Sequence, residues 1–401
     1  MGSSTRGSGA RGVVSMIVVA AVAVVGVGCT SSEPSDPTSS VTSVAGTAAS
    51  SPNSSAAITP SPVAACGSAQ LDEMTLRQKL AQLVVVGVTG AADAQAIVDS
   101  EQIGGIFVGS WTDKSILTSG AAARISQSSP IPLMVTVDQE GGRVSRLSGL
   151  GIDSPSARVL AQTRTAAQVR DLAASTGRQL RELGVTVDFA PVVDVSDEAD
   201  GEVIGDRSFS NDPAVVAEYA QAYAEGLASA GITPVFKHFP GHGHGSGDSH
   251  LGVVVTPPLS TLENSDLVPY RTLLQNPGPA AVMMGHLIVP GLTGPETPSS
   301  ISPRAYGMLR TGKPYGGPAY NGVVFTDDLS GMAAISARYP IEQAAPMAIR
   351  AGADVALWLS TDRVPAVLDT LEQQVASNRL TEQRVDRSVV RVLRSKGVLT
   401  C

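Results

Sequence analysis

Eight short apolar runs, separated by longer amphipathic stretches, constrain this chain more than any other feature of it. The runs cover 82–88, 104–108, 132–137, 185–189, 233–237, 280–286, 322–326 and 353–357. Between them, 92–101, 121–127, 165–183, 213–230, 262–274, 303–309, 342–351 and 364–376 place apolar residues at helical spacing. Asp212-Pro213 has the form of an N-cap followed by proline at the first helical position. The runs are too short and too uniformly apolar for half-exposed antiparallel strands, so they are expected to be parallel and buried on both faces. Eight such βα units fit one α/β domain, a (β/α)8 TIM barrel spanning 66–401. A doubly wound sheet uses the same alternation, because periodicity does not show closure. With 43% hydrophobic and 16% charged residues, the chain has enough apolar side chains to fill such a core.

A barrel demands that chemistry lie at the C-terminal ends of its strands. The polar residues follow that rule. The third run leads into Asp138-Gln139-Glu140-Gly141-Gly142-Arg143-Val144-Ser145-Arg146, and the fourth into Ala190-Pro191-Val192-Val193-Asp194. The fifth enters a stretch from Lys237 to His250 that holds four of the five histidines. The sixth ends at His286, read as a packed histidine behind the site, and the seventh leads into Asp327-Asp328. His238, His242, His244 and His250 lack the helical i, i+4 pair with a glutamate that marks a zinc site, so no metal is expected. Gly104-Gly105 and Gly141-Gly142 lack the spacing of a dinucleotide fingerprint, and no serine nucleophile elbow is present, so no cofactor is expected either. A net charge of −8 without a long basic run argues against nucleic acid or an anionic membrane surface as the main partner.

Lys237-His238-Phe239-Pro240-Gly241-His242-Gly243, followed by Asp248-Ser249-His250, resembles the signature of the β-N-acetylhexosaminidases of glycoside hydrolase family 3. Four further pieces match in order: 138–144, 187–195, 205–209 and 324–330. The resemblance spans roughly Met74 to Leu357. It implies Asp327 as the nucleophile of a retaining glycosidase, with Asp328 the structural alternative beside it, since neighbouring strand residues point opposite ways. It further implies His250 as the proton donor and acceptor, with Asp248 orienting it, a role suited to an imidazole that titrates near neutrality. Asp138, Arg146, Arg207, Lys237 and His238 match positions that hold the sugar; for each, an ion pair at the barrel mouth is the plainer reading. The implied activity is exo-acting removal of terminal β-linked GlcNAc from peptidoglycan fragments. A phosphorylase on the same site, or a catalytically silent sugar-binding protein, uses the same residues.

The N-terminus reads as a targeting segment. Arg6 and Arg11 precede an apolar run, 13–27, that ends in Gly28-Cys29 and resembles a bacterial lipoprotein signal, with Gly26 where an aliphatic residue is usual. Cys29 is then the lipid-bearing first mature residue, and the expected location is the cell envelope, anchored by that lipid alone. The following 30–65 is rich in Ser, Thr, Pro and Ala and reads as a disordered tether. Two cysteines remain, Cys66 before the first strand and Cys401 at the end. Closing a barrel brings its ends together, so these two are expected to form a disulfide outside the cytoplasm. Little follows the last helical segment, 382–396, so the acid/base is expected from the barrel itself. The protein is expected to be a monomer.

Overall fold

The computed structural model describes residues 67–400. The lipid-signal residues with Cys29, the tether, Cys66 and Cys401 lie outside the described residues. Eight parallel strands close on one another: β1 Val84–Gly87, β2 Gly105–Val108, β3 Met134–Val137, β4 Val187–Asp188, β5 Thr233–Phe239, β6 Ala281–Met284, β7 Val324–Asp328 and β8 Val355–Trp358. They stand in chain order around the ring, and β1 pairs with both β2 and β8. The fold is therefore the (β/α)8 barrel; the doubly wound alternative would leave two open edges.

Each strand is followed by a helix that covers its outer face. These are α1 Ala91–Glu101, α2 Ala121–Ser128, α3 Ala166–Glu182, α4 Pro213–Ser229, α5 Val268–Leu273, α6 Pro303–Thr311, α7 Ile341–Ala351 and α8 Val364–Ala376, with α9 Glu382–Ser395 at the end. Their starts have local causes. Thr165 and Gln168 form a reciprocal capping box on α3, and Asp212 accepts from the Ala214 amide ahead of Pro213 on α4. The expected single helix over 262–274 is instead split into Leu259–Leu262 and α5. Pro269 has no amide hydrogen to continue a helix and is accommodated only in a first turn, so α5 begins beside it.

Inside the ring the core is aromatic as well as aliphatic. Phe107 of β2 meets Phe189 at 5.9 Å, and Phe189 meets Phe325 of β7 at 5.4 Å between ring centroids. These residues come from strands that are not neighbours, so they touch only across the barrel interior, which is thus a packed core rather than a channel. Burying each such side chain contributes about 2–3 kcal/mol.

Two strands run further than the apolar pattern indicates. β5 continues through Lys237 and His238 to Phe239, and β7 includes both Asp327 and Asp328. Polar side chains at a barrel mouth end the hydrophobic pattern before they end the backbone ladder. Both extensions carry register irregularities, between Phe236 and Phe239 and between Phe325 and Asp328. Such bulges re-aim side chains, and here they fall at the charged residues. Among the described residues no helix is long and apolar enough to cross a membrane.

Candidate active site

A cavity of about 460 Å³ opens at the C-terminal mouth, and Asp138, Arg146, Arg207, Lys237, His238, Asp248, His250 and Asp327 all line it. Residues from β5, β7 and the segments that follow β3, β4 and β5 thus meet in one place, as the barrel reading requires.

One wall is a chain of alternating charges. Lys237 Nζ lies 2.6 Å from Asp138 Oδ1 and 2.6 Å from Glu140 Oε1, and Arg207 holds Glu140 through two bonds of 2.8 Å. Burial works against ionising Glu140, but the Arg207 and Lys237 charges outweigh it and hold its carboxyl well below the usual range. Burial likewise works against the Lys237 ammonium, and Asp138 and Glu140 reverse that, so Lys237 stays cationic. The ion-pair reading and the sugar-contact reading therefore coexist: these groups are paired, and they still face the cavity. Arg146 is different. Its guanidinium lines the cavity with no hydrogen bond or ion pair to any described residue.

The floor is built on Asp194 and His238. Asp194 is fully buried and accepts from the His238 amide at 3.2 Å and the His242 amide at 2.7 Å. His238 Nδ1 lies 2.7 Å from Asp194 Oδ2. Burial raises the pKa of Asp194, but the neighbouring His238 and the bonds it accepts bring it down to about 2. An ionised carboxylate only accepts, so the hydrogen sits on Nδ1 and His238 turns Nε2 to Asp327 Oδ2, 3.9 Å away.

Asp327 and Asp328 divide sharply. Asp327 lines the cavity; burial opposes its charge, yet the neighbouring His238 and Lys237 keep its carboxyl below the ordinary carboxylate range. Asp328 faces its own loop, accepting from Ser330 N at 2.8 Å, Ser330 Oγ at 2.9 Å and Gly331 N at 2.8 Å. Burial pushes its pKa up to about 6. His286 joins the two strand ends: Nε2 donates to the Asp328 carbonyl at 2.7 Å, which leaves Nδ1 to accept from Ser300 Oγ at 2.7 Å. Buried and pushed toward the neutral form by that burial, it packs behind the site.

At the rim stand Asp248 and His250. His250 donates both its amide and Nδ1–H to Asp248 Oδ1, each at 2.8 Å, leaving Nε2 free for proton transfer. Burial raises the Asp248 pKa, and those two bonds outweigh it, so Asp248 stays below the usual value. The His250 side chain is 60% exposed, open enough to meet a leaving group from solvent. His244 does not join the cavity; its Nδ1 lies 2.8 Å from Asp266. No group of three or more His, Cys, Asp or Glu among the described residues is placed to hold a metal ion.

The arrangement is a dry carboxylate among directional donors, with an exposed imidazole–carboxylate pair on the same cavity. That combination fits acid/base-assisted displacement at a sugar's anomeric carbon. The model of the glycosyl hydrolase family 3 N-terminal domain matches residues 75–395. The chain belongs to glycoside hydrolase family 3. Within that family it is 60% identical over 322 residues to beta-hexosaminidase LpqI of Mycobacterium tuberculosis, covering 80% of this chain and 82% of the relative. It is 35% identical over 291 residues to a beta-hexosaminidase of Xylella fastidiosa, covering 69% of this chain and 82% of that one. A crystal structure of a family 3 glycosyl hydrolase from Mycobacterium smegmatis superposes with a TM-score of 0.80 at 58% identity, over 82% of this chain and 99% of that one. A family 3 β-N-acetylglucosaminidase from Paenibacillus gives 0.74 at 32% identity, over 81% of this chain and 62% of that one. The protein is a glycoside hydrolase of the β-hexosaminidase type.

Sequence reasoning assigned no role to Glu140 and Asp194, although both sit in family 3 motifs at strand ends. The signal was there: a carboxylate in an otherwise apolar strand end must be paired when buried. Arg143 was also passed over. Its guanidinium holds the carbonyls of Gly201, Glu202, Val203 and Ile204 and pairs with Asp206 at 3.0 Å, fixing the loop that carries Arg207.

Proposed function

We propose that this family 3 hydrolase is a retaining exo-β-N-acetylglucosaminidase that removes terminal non-reducing GlcNAc from peptidoglycan fragments. The observation that carries the reading is the ionised carboxylate of Asp327, which makes no salt bridge to a lysine or arginine among the described residues and lines a cavity that also presents the His250–Asp248 pair. In the first step an Asp327 oxygen bonds to the anomeric carbon while the bond to the aglycone oxygen breaks, and protonated His250 gives its Nε2 proton to that oxygen. In the second step neutral His250 takes a proton from water, whose oxygen displaces Asp327 and releases GlcNAc with its configuration retained. Asp248 stabilises the imidazolium that enters the first step and is regenerated by the second. Asp138, Arg146, Arg207, Lys237 and His238 supply the bonds to the sugar hydroxyls and amide. The cavity volume is in the range of small-molecule sites, which favours one terminal sugar over an internal segment of polymer.

Cell-wall fragments as substrate, and an envelope location through lipid on Cys29, rest on the signal-like run ahead of Cys29 and on the 30–65 tether. Mass and NMR analysis of products from an aryl GlcNAc β-glycoside and a disaccharide peptidoglycan fragment tests the activity. Free β-GlcNAc is expected first from both, with or without phosphate. GlcNAc 1-phosphate would make the enzyme a phosphorylase, and initial α-GlcNAc would remove the glycosyl-Asp327 intermediate. His250→Ala is expected to impair the disaccharide far more than the activated aryl glycoside, because only the poor leaving group needs the proton; equal losses would assign His250 to structure.

A further inference from the structure

The opposite, N-terminal face of the barrel carries a second concentration of charge that the active site does not use. Asp354 immediately precedes β8, is fully buried, and is approached by three guanidinium groups. Arg310 of α6 bonds Oδ2, Arg391 of α9 lies 3.2 Å from Oδ1, and Arg384 of α9 lies 3.8 Å from the same oxygen. The Val324 amide donates to Oδ2 at 3.0 Å and the Ser388 hydroxyl donates to Oδ1. One negative charge is thus shared among three positive ones and has little accepting capacity left.

Arg384, Arg387 and Arg391 fall at i, i+3 and i+7 on α9, so they share one helix face. With Arg310 they line a cavity of about 450 Å³, and no acidic residue contributes to that lining. Four guanidinium groups against the one carboxylate behind them leave a formal charge of +3, on a chain whose net charge is −8. Arg387 is exposed and makes no hydrogen bond or ion pair to any described residue, so its five N–H donors are available. Arg391 gives Nε and Nη2 to the amide oxygen of Asn321 rather than to an acid. Burial, then the charges of the neighbouring arginines, pushes Arg384 and Arg391 below the usual guanidinium range against the pull of Asp354. A network serving only to clamp α9 against the barrel would be expected to match its cations with carboxylates; this one leaves a cationic concavity open to solvent.

We propose that this cavity is a binding site for a phosphate group, separate from the catalytic cavity and held by Arg387 together with Arg391 and Arg310. Guanidinium forks match phosphate oxygens bidentately, and the surplus positive charge is what a dianion would neutralise. Free phosphate and a phosphate ester present the same chemistry to these groups.

Calorimetric titration with inorganic phosphate, at ionic strength held constant with chloride, tests the site. The wild-type protein is expected to bind phosphate saturably. Arg387→Ala and Arg387→Glu are expected to weaken binding at least 10-fold while leaving glycosidase turnover unchanged, and Arg207→Ala, in the catalytic cavity, is expected to leave binding intact. Glycerol 3-phosphate distinguishes the sources: binding as tight as that of phosphate supports an esterified ligand, and binding at least 10-fold weaker supports the free ion. Absence of saturable phosphate binding, or binding lost in Arg207→Ala and kept in Arg387→Ala, would overturn the proposal.

Discussion

Two adjacent aspartates at the end of β7 have opposite surroundings, and their substitutions separate chemistry from stability. Asp327→Asn is expected to lower turnover by roughly 10⁴-fold with folding intact, since an amide does not form the glycosyl ester. Asp328→Asn turns one of the two accepting oxygens into an amide donor, so the bonds from Ser330 or the bond from Gly331 are lost, and it is expected to cost stability, by about 1–3 kcal/mol, more than it costs chemistry. Steady-state kinetics and urea unfolding of both variants check this; retained activity in Asp327→Asn with loss in Asp328→Asn would reverse the assignment. Asp194 supplies a pH signature. Its folded pKa of about 2 lies below the ordinary 3.8, so the stabilisation it provides is present above about pH 4 and is lost as pH falls toward 2. Asp194→Asn is therefore expected to lower stability at pH 7 by roughly 2–4 kcal/mol, with the gap to wild type narrowing between pH 4 and 2. A gap that stays constant down to pH 2 would contradict an ionised Asp194 in the folded state.

At the scale of elements, the strand ends and the loop after β5 share the work. β5 and β7 carry His238 and Asp327 on rigid ladders, whereas His250 rides on the loop. That loop is tied down at several points. The Ser246 amide donates to Val255 O at 2.9 Å, Val254 and Val255 pair with Leu287 and Ile288, and the Ala334 amide beyond β7 donates to Ser249 O at 3.0 Å. The loop passes closest to its neighbours at Gly243, where a Cβ would lie 1.9 Å from the Val195 carbonyl oxygen. Gly243→Ala must shift the backbone and is expected to destabilise the protein by about 2–4 kcal/mol and to lower kcat/KM by displacing His250. Gly247 lies in the same loop with nothing within 4 Å of its Cβ position, so Gly247→Ala is expected to be nearly neutral. Thermal unfolding and kinetics of the pair test the contrast; equal effects would mean the close approach at Gly243 is not what holds the loop.

On the scale of the whole molecule, barrel closure brings the ends of the domain together. A Cβ on Gly67 would lie 2.7 Å from Leu399 Cδ1, so the first and last described turns touch. Cys66 and Cys401 are the next cysteines outward on either side. This supports the expectation of a disulfide between them, which would contribute about 2–4 kcal/mol by closing a loop of nearly the whole domain. Thiol labelling of the unfolded, unreduced mature protein is expected to find neither cysteine reactive; two reactive thiols would exclude the bridge.

The alternation of eight apolar runs with amphipathic stretches was enough to determine a parallel α/β domain of eight units, because strands buried on both faces and helices buried on one leave different periodicities; closure of the ring, which separates the barrel from a doubly wound sheet, was decided only by the pairing of β1 with β8. The motifs placed Asp327, His250, Asp248 and the other cavity-lining candidates at strand ends or in the loops that follow them, since polar residues that interrupt a buried run have few other places to go. Periodicity did not reveal which of Asp327 and Asp328 turns to the cavity, because that is decided by the register shift in β7 and by the amides of Ser330 and Gly331. Nor did it reveal the pairing of Glu140 with Arg207 and Lys237, or of Asp194 with His238, where partners lie far apart in the chain. The arginine cavity is the clearest case. With no long basic run, the chain reads as uniformly acidic, yet packing α9 against α6 and the start of β8 gathers four arginines on one cavity, three of them around a buried carboxylate. Periodicity is a local property of the chain, whereas side-chain direction and long-range charge pairing exist only once the barrel has closed.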